Sequence, residues 1–288
     1  MGVRDFAHLR DAPVLGGGDS IGRVSDHDLQ LPDQTLTLTN GTRIPLLGFG
    51  TWQITGDDAV RATTAALEAG YRHVDTATVY GNEAEVGRAL AESGVAREDV
   101  FVTTKCPPGR AGRELETLRE SLDLLRTDHV DLWLIHWPGK GATNVDLWRA
   151  FVEARELGLA REIGVSNFDA ALIDEVTDAT AVRPAIDQIE WSPLLFDAGT
   201  LQGHRERDVA VEGYSALRGG TLDHPAIVGI AERLDRTPAQ VIIRWHLQHD
   251  VVVIPKSTHP ERIRSNADVG GFTLTDEDMA TLDALGGR

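Results

Sequence analysis

Four side chains in the first half of the chain are of types that hold or move protons: Asp75, Tyr80, Lys105 and His136. Asp75 ends the apolar run Tyr71–Val74 in GYRHVDTATVY, Lys105 ends VFVTTK and His136 ends VDLWLIHW. Tyr80 follows Asp75 by one short loop. A single acid at the end of an apolar run reads as a turn or cap residue. Three successive runs ending in Asp, Lys and His read as a site. A phenol ionises near ~10, too high for easy proton donation at neutral pH. A neighbouring ammonium lowers that value, a role for Lys105, with Asp75 holding the lysine in place. His136 has the hydrogen-bonding capacity to orient a carbonyl oxygen. The set suits proton delivery to a developing alkoxide, half of a carbonyl reduction. Nothing in it supplies the other half, a hydride, so a bound carrier is expected.

A second cluster lies in PKSTHPERIRSN, where Lys256 and Ser257 precede helix-like residues carrying Arg262, Arg264 and Asn266. Helix N-termini and arginine forks both suit phosphate. The chain has 28 basic and 45 acidic residues, a net charge of −17, so a cation cluster here stands out and nucleic acid is excluded as a partner. The lone cysteine, Cys106, permits no intramolecular disulfide and fits a reducing compartment. It alternates to the opposite side of its strand from Lys105, which predicts burial. No leader-like apolar segment or membrane-length run is present, so a cytoplasmic protein is expected. No residues have metal-ligand spacing. His246, His249 and His259 are expected on helix surfaces or loops, and Trp133, Trp148, Trp191 and Trp245 in packing.

These residues must be carried on strands. Residues 1–33 read as a loosely packed arm, and a domain over 34–288 opens with TLTLTNGTRIPLL, where Asn40-Gly41 marks a hairpin turn. Apolar runs then recur at Pro45–Phe49, Tyr71–Val74, Val100–Thr103, Val130–Ile135, Ile163–Val165, Ala185–Ile189, Val209–Val211 and Val251–Ile254. Helical segments lie between them: Asp57–Ala69 closes on Gly70, Asn144–Leu157 closes on Gly158, and capping boxes start at Thr237 and Thr275. The pattern predicts an α/β chain folded as a (β/α)8 TIM barrel with an N-terminal β-hairpin. A doubly wound sheet is the alternative, but its candidate phosphate turn, GFGTWQ, lacks the third small residue and an immediate helix. In a barrel the C-terminal strand ends share one mouth. The remaining ends supply Thr51 and Trp52, Ser166 and Asn167, Gln188 and Glu190, Tyr214 and Ser215, and Lys256 and Ser257.

Together, GYRHVDTATVYGNEAEVG, VDLWLIHWP, IGVSNF, TPAQVIIRWHLQHDVVVIPKS and TLTDEDMATLDAL resemble the aldo-keto reductase family, from about Thr35 to Leu285. The resemblance implies a barrel that reduces aldehydes and ketones with NADPH, through a catalytic tetrad of Asp75, Tyr80, Lys105 and His136 with Tyr80 as general acid. It implies that Ser166, Asn167 and Gln188 bind the nicotinamide carboxamide, that Tyr214 stacks on its ring and that Thr51 touches the cofactor. Ser215 and Leu217 would line the pyrophosphate path. Lys256, Ser257 and Arg262 would hold the 2′-phosphate, favouring NADP over NAD, and Asn266 would contact the adenine. Trp52 and Trp137 would wall the substrate pocket. The chain departs from the family pattern at Ser265, usually glutamate, at Gly270-Gly271 and in YSAL. It also stops soon after the last helix, which implies an open pocket for small carbonyls or dicarbonyls of the methylglyoxal or diketogluconate kind. A monomer is implied.

Three rival readings draw on some of the same residues. A Schiff-base aldolase would use Lys105 but leave Tyr80, His136 and the PKS segment idle. A serine hydrolase built on GVSNF lacks the final glycine of its elbow. A cofactor-binding regulatory barrel with little turnover shares the same residues, and cofactor turnover separates it from a reductase.

Overall fold

The computed structural model describes residues 31–32, 34–140 and 143–287, so the arm expected over residues 1–33 lies almost wholly outside the described residues. The hairpin forms as expected. Strand β1 (Thr35–Thr37) pairs antiparallel with β2 (Arg43–Pro45), and Gly41 takes the positive φ of 87° that its turn needs. Its tip reaches the N-terminal ends of later strands, where Asn40 Nδ2 donates to Glu162 Oε2 at 2.9 Å and Thr39 Oγ1 donates to the Asp208 carbonyl at 3.2 Å.

Eight parallel strands follow: β3 (Phe49–Gly50), β4 (His73–Asp75), β5 (Phe101–Cys106), β6 (Val130–Ile135), β7 (Ala160–Ser166), β8 (Ile186–Glu190), β9 (Ala210–Tyr214) and β10 (Val252–Val253). They pair in chain order. The first and last strands then meet: Leu47 bridges Val253, the Val253 N–H donates to Leu46 at 2.8 Å and the Gly48 N–H donates to Val253 at 2.9 Å. Closure removes both sheet edges, and the barrel expectation holds. The glycines of GFGTWQ serve this seam. A Cβ on Gly50 would lie 2.6 Å from the Ile254 carbonyl oxygen, and one on Gly48 would lie 2.5 Å from His73 Nδ1. They permit close backbone approach and form no phosphate turn.

Helices α1 (Gly56–Glu68), α2 (Glu83–Glu92), α3 (Glu114–Leu125), α4 (Thr143–Glu156), α5 (Ala170–Thr180) and α6 (Ala198–Glu206) connect successive strands. Two helices, α7 (Pro225–Leu234) and α8 (Pro238–Gln248), separate β9 from β10, and α9 (Pro260–Ala267) and α10 (Asp276–Asp283) follow. The predicted capping boxes of α8 and α10 are both made, Thr237 with Gln240 and Thr275 with Asp278. The four packing tryptophans and Cys106 are buried, as expected. Trp133 stacks on Phe151 with ring centroids 3.6 Å apart.

One histidine departs from its expected place. His246 is fully buried, because α8 is covered along nearly its whole length, with Val241 to Leu247 all inside. Its Nδ1 sits 2.8 Å from the Ile242 carbonyl oxygen, and burial lowers its pKa to about 4, leaving a neutral ring.

Candidate active site

Adjacent strands deliver Asp75, Lys105 and His136 to the same end of the barrel. Asp75 is the last residue of β4, Lys105 lies in β5 and His136 follows β6, where its N–H donates to the Cys106 carbonyl at 2.9 Å. Tyr80 sits on a single 3-10 turn, Thr78–Tyr80, that ends at Gly81 with φ 65°. Thr78 Oγ1 pins that turn by donating to the Lys105 carbonyl at 2.7 Å. The four side chains are thereby gathered. Lys105 Nζ donates to Asp75 Oδ1 at 2.6 Å, to the Thr76 carbonyl at 2.8 Å and to Tyr80 Oη at 3.4 Å. The Tyr80 and His136 rings meet edge to face at 5.7 Å. Asp75 is 1% exposed and Lys105 0%.

The charges follow from this burial. Burial pulls the Lys105 pKa down, but the charge of Asp75, with Tyr80, the Asp75 hydrogen bond and Glu212, more than offsets it, and the pKa is raised. Asp75 is pushed up by burial and pulled back by Lys105 and Gln188. Burial, then the charge of Lys105, lowers His136 to about 3, so its imidazole is neutral and works as a hydrogen-bonding group rather than a cation. Tyr80 corrects the sequence expectation. Lys105 does pull the phenol down, but burial pushes it up further and Asp75 adds to that, so the net direction is upward. The phenol therefore keeps its proton at neutral pH. What Lys105 contributes is an ammonium beside the phenol oxygen.

The other half of the mouth is a hydrogen-bonded arc. Thr51 Oγ1 donates to the Asp75 carbonyl at 2.9 Å, and Gln188 Nε2 donates to Asp75 Oδ2 at 2.9 Å. Ser166 Oγ donates to the Gln188 carbonyl at 2.7 Å and accepts from Asn167 Nδ2 at 2.9 Å. Tyr214 Oη donates to Asn167 Oδ1 at 2.9 Å. Asn167 and Ser215 both hold left-handed backbone, at φ 62° and 57°, which turns the chain sharply where each strand ends. Leu217 is half-buried against the core. Thr51, Ser166 and Gln188 are buried at the floor of this arc.

Lys256, Ser257, Arg262 and Asn266 are not bonded into this arc. Asn266 is buried on α9, Arg262 is exposed on the same helix, and Ser257 Oγ accepts from the His259 N–H at 3.0 Å. Lys256 is lowered by partial burial and by the nearby charge of Arg218. No carboxylate pairs with Lys256, Arg262 or Arg218 among the described residues. Trp52 and Trp137 stand beyond β3 and β6, 36% and 44% exposed, and the Arg218 guanidinium lies 4.8 Å from the Trp52 ring centroid. No cluster of His, Cys, Asp or Glu among the described residues is placed to hold a metal.

Sequence reasoning missed two positions. Asn82 donates to the Thr51 and Ile54 carbonyls at 2.9 and 2.8 Å and accepts from Thr76 at 2.7 Å, latching the loop after β3 to the loop after β4. It stands at the N-cap of α2 but makes no side-chain cap bond there. Arg218 was signalled only by being a cation in the loop LRGG of an acidic chain.

The model of the Aldo/keto reductase family matches residues 46–286. The chain belongs to that family. An aldo-keto reductase of Mycolicibacterium vanbaalenii is 48% identical over 255 residues, spanning 87% of this chain and 91% of the relative. One from Mycobacterium tuberculosis is 46% identical over 257 residues, 88% and 90% of the two chains. Among solved structures, an aldo/keto reductase from Brucella melitensis superposes with a TM-score of 0.84 at 43% identity, covering 88% of this chain and 99% of the other. A Bombyx mori aldo-keto reductase, solved in complex with NADP, superposes with a TM-score of 0.82 at 34% identity, covering 90% and 94%. This aldo-keto reductase is thus an oxidoreductase of carbonyl groups by membership. No helix among its described residues is long and apolar enough to cross a membrane.

Proposed function

We propose that the protein reduces small aldehydes, ketones and dicarbonyls to alcohols with NADPH, Tyr80 giving the proton. The observation that carries this reading is the buried ammonium of Lys105, fixed by Asp75 and lying 3.4 Å from the Tyr80 hydroxyl. The phenol holds its proton in the ground state, and as the proton leaves, the ammonium stabilises the phenolate left behind. His136, neutral, donates a hydrogen bond to the substrate oxygen and orients it toward Tyr80. Asp75 holds the lysine, and Thr51 and Gln188 hold Asp75.

The donor set suits a dinucleotide phosphate. Lys256 and Arg262, with Ser257 between them in sequence, are cations without acid partners among the described residues, on a chain of net charge −17. These three would hold the 2′-phosphate, Asn266 the adenine, and Ser215 and Leu217 the pyrophosphate path. Ser166, Asn167, Gln188, Thr51 and Tyr214 would hold the nicotinamide end, which supplies the hydride. Trp52 and Trp137 would flank the substrate. The relative solved with NADP supports the choice of cofactor.

The test is to follow reduced-cofactor absorbance with a panel of small aldehydes and dicarbonyls, comparing NADPH with NADH. Turnover that prefers NADPH is expected. Cofactor binding without turnover across the panel would replace this reading with a cofactor-sensing barrel.

A further inference from the structure

Below the mouth, inside the barrel, lies an acid that the proposed reaction does not use. Glu212 sits in the middle of β9, in register with Gln188 on β8 and Val252 on β10. It is 0% exposed, and neither of its carboxyl oxygens has a hydrogen-bond partner. Such a group requires an explanation, since a buried carboxylate without donors is costly.

The groups that face it come from three other strands. His73 on β4 has its Nε2 3.8 Å from Glu212 Oε1, while the same nitrogen sits 3.1 Å from Thr103 Oγ1 of β5. Burial lowers His73 to about 3, so it is neutral and offers Glu212 no charge. Asp75 and Lys105 act on Glu212 through their charges, and Glu212 in turn acts on Lys105 and Tyr80. Gln188 gives one of its two Nε2 protons to Asp75, and the amide also acts on Glu212, at longer range than an ordinary hydrogen bond. The charges acting on Glu212 are therefore those of Asp75 and Lys105, and the hydrogen bonds of that ammonium go to Asp75, Thr76 and Tyr80.

The division of the proton follows from the donors. Asp75 accepts from Lys105 and Gln188 and is the member that stays ionised. Glu212 accepts no hydrogen bond of ordinary geometry, feels only a weak pull from Gln188, and is the member that keeps its proton, 3.8 Å from His73 Nε2. Burial and the charge of Asp75 push Glu212 up to about 8, against the pull of Lys105 and Gln188.

We propose that Glu212 is a positioning residue that works as a neutral acid beneath Asp75 and Lys105, and that losing its proton draws Lys105 away from Tyr80 and ends the reaction on the alkaline side. The effect on turnover rests on the reductase reading above. The protonation and its effect on Tyr80 do not.

Glu212→Gln keeps the size and the neutral state, and its melting temperature reports whether it folds. Infrared difference titration of the whole protein should show a carboxylic C=O band at neutral pH that is missing from Glu212→Gln and fades in wild type as pH rises through about 8. Tyrosinate absorbance belonging to Tyr80, read against Tyr80→Phe, should appear at lower pH in Glu212→Gln than in wild type. Neither readout needs turnover. With a small aldehyde and NADPH, kcat of wild type should fall about tenfold per pH unit above that point, whereas Glu212→Gln keeps its neutral rate and loses the fall. A band that persists in Glu212→Gln, an unmoved Tyr80 titration, or an alkaline fall retained by the variant would overturn the proposal. Absence of all turnover with the band present would overturn the reductase reading and leave the neutral acid standing.

Discussion

The two halves of the barrel mouth are built differently. On β4 to β6, Asp75, Lys105 and Tyr80 are bonded to one another, and the ammonium between them is out of water. Beyond β10, Lys256 and Arg262 have no acid partner among the described residues, and Arg262 is exposed. The first half is complete in the protein alone. The second half leaves positive charge unspent. Proton chemistry needs fixed distances before substrate arrives, whereas a phosphate grip needs charges that the ligand itself will neutralise.

The largest expected effect breaks the first half. Lys105→Met removes the ammonium bonded to Asp75 and leaves a buried carboxylate short of its charge partner. Turnover should fall by about 10²- to 10⁴-fold, and stability by about 3–5 kcal/mol, read by steady-state kinetics and denaturant melts. An active, equally stable variant would mean the pair is not the organising feature.

Acid should strain the scaffold under the second half. His246 has its pKa lowered to about 4 by burial, so the unfolded chain takes up a proton at higher pH than the native protein does. Stability should therefore fall as pH drops from about 6.5 toward 4, by about 3 kcal/mol from this residue. His246→Gln should flatten that fall in thermal melts taken across the window.

The open half should respond to ligand alone. Arg262→Ala is expected to weaken NADPH binding about 10- to 100-fold while leaving NADH binding and melting temperature nearly unchanged. Equal losses for both cofactors would move the 2′-phosphate elsewhere. The smallest effect checks that the backbone here is as well built as in the first half: Thr237→Ala removes the cap of α8 and should cost about 1 kcal/mol in a melt, with kinetics unaltered.

Much of this was legible in the sequence because barrel strands expose their ends. Asp75, Lys105 and His136 each close an apolar run, and a parallel barrel brings such ends together. Helix limits were legible through Gly70, Gly158 and the two capping boxes. Interior partners were not, because they depend on which residues of non-adjacent strands share a level. Nothing near Gln188 announces that it meets Asp75, 113 positions away. The same holds for Glu212 and His73. His246 looked like a surface residue because a helix covered along its length has no polar face to betray it. The direction of the Tyr80 shift was misread because burial, the larger influence, is set by the fold, whereas the lysine that opposes it is visible in the chain.

The central claim is that a prebuilt Asp75–Lys105–Tyr80 group gives the proton. The direct measurement compares wild type with Tyr80→Phe at saturating NADPH, recording both cofactor binding and single-turnover reduction of a small dicarbonyl such as methylglyoxal. Unchanged binding and a rate lower by about 10²-fold or more are expected. A Tyr80→Phe protein that reduces the carbonyl at the wild-type rate would contradict it.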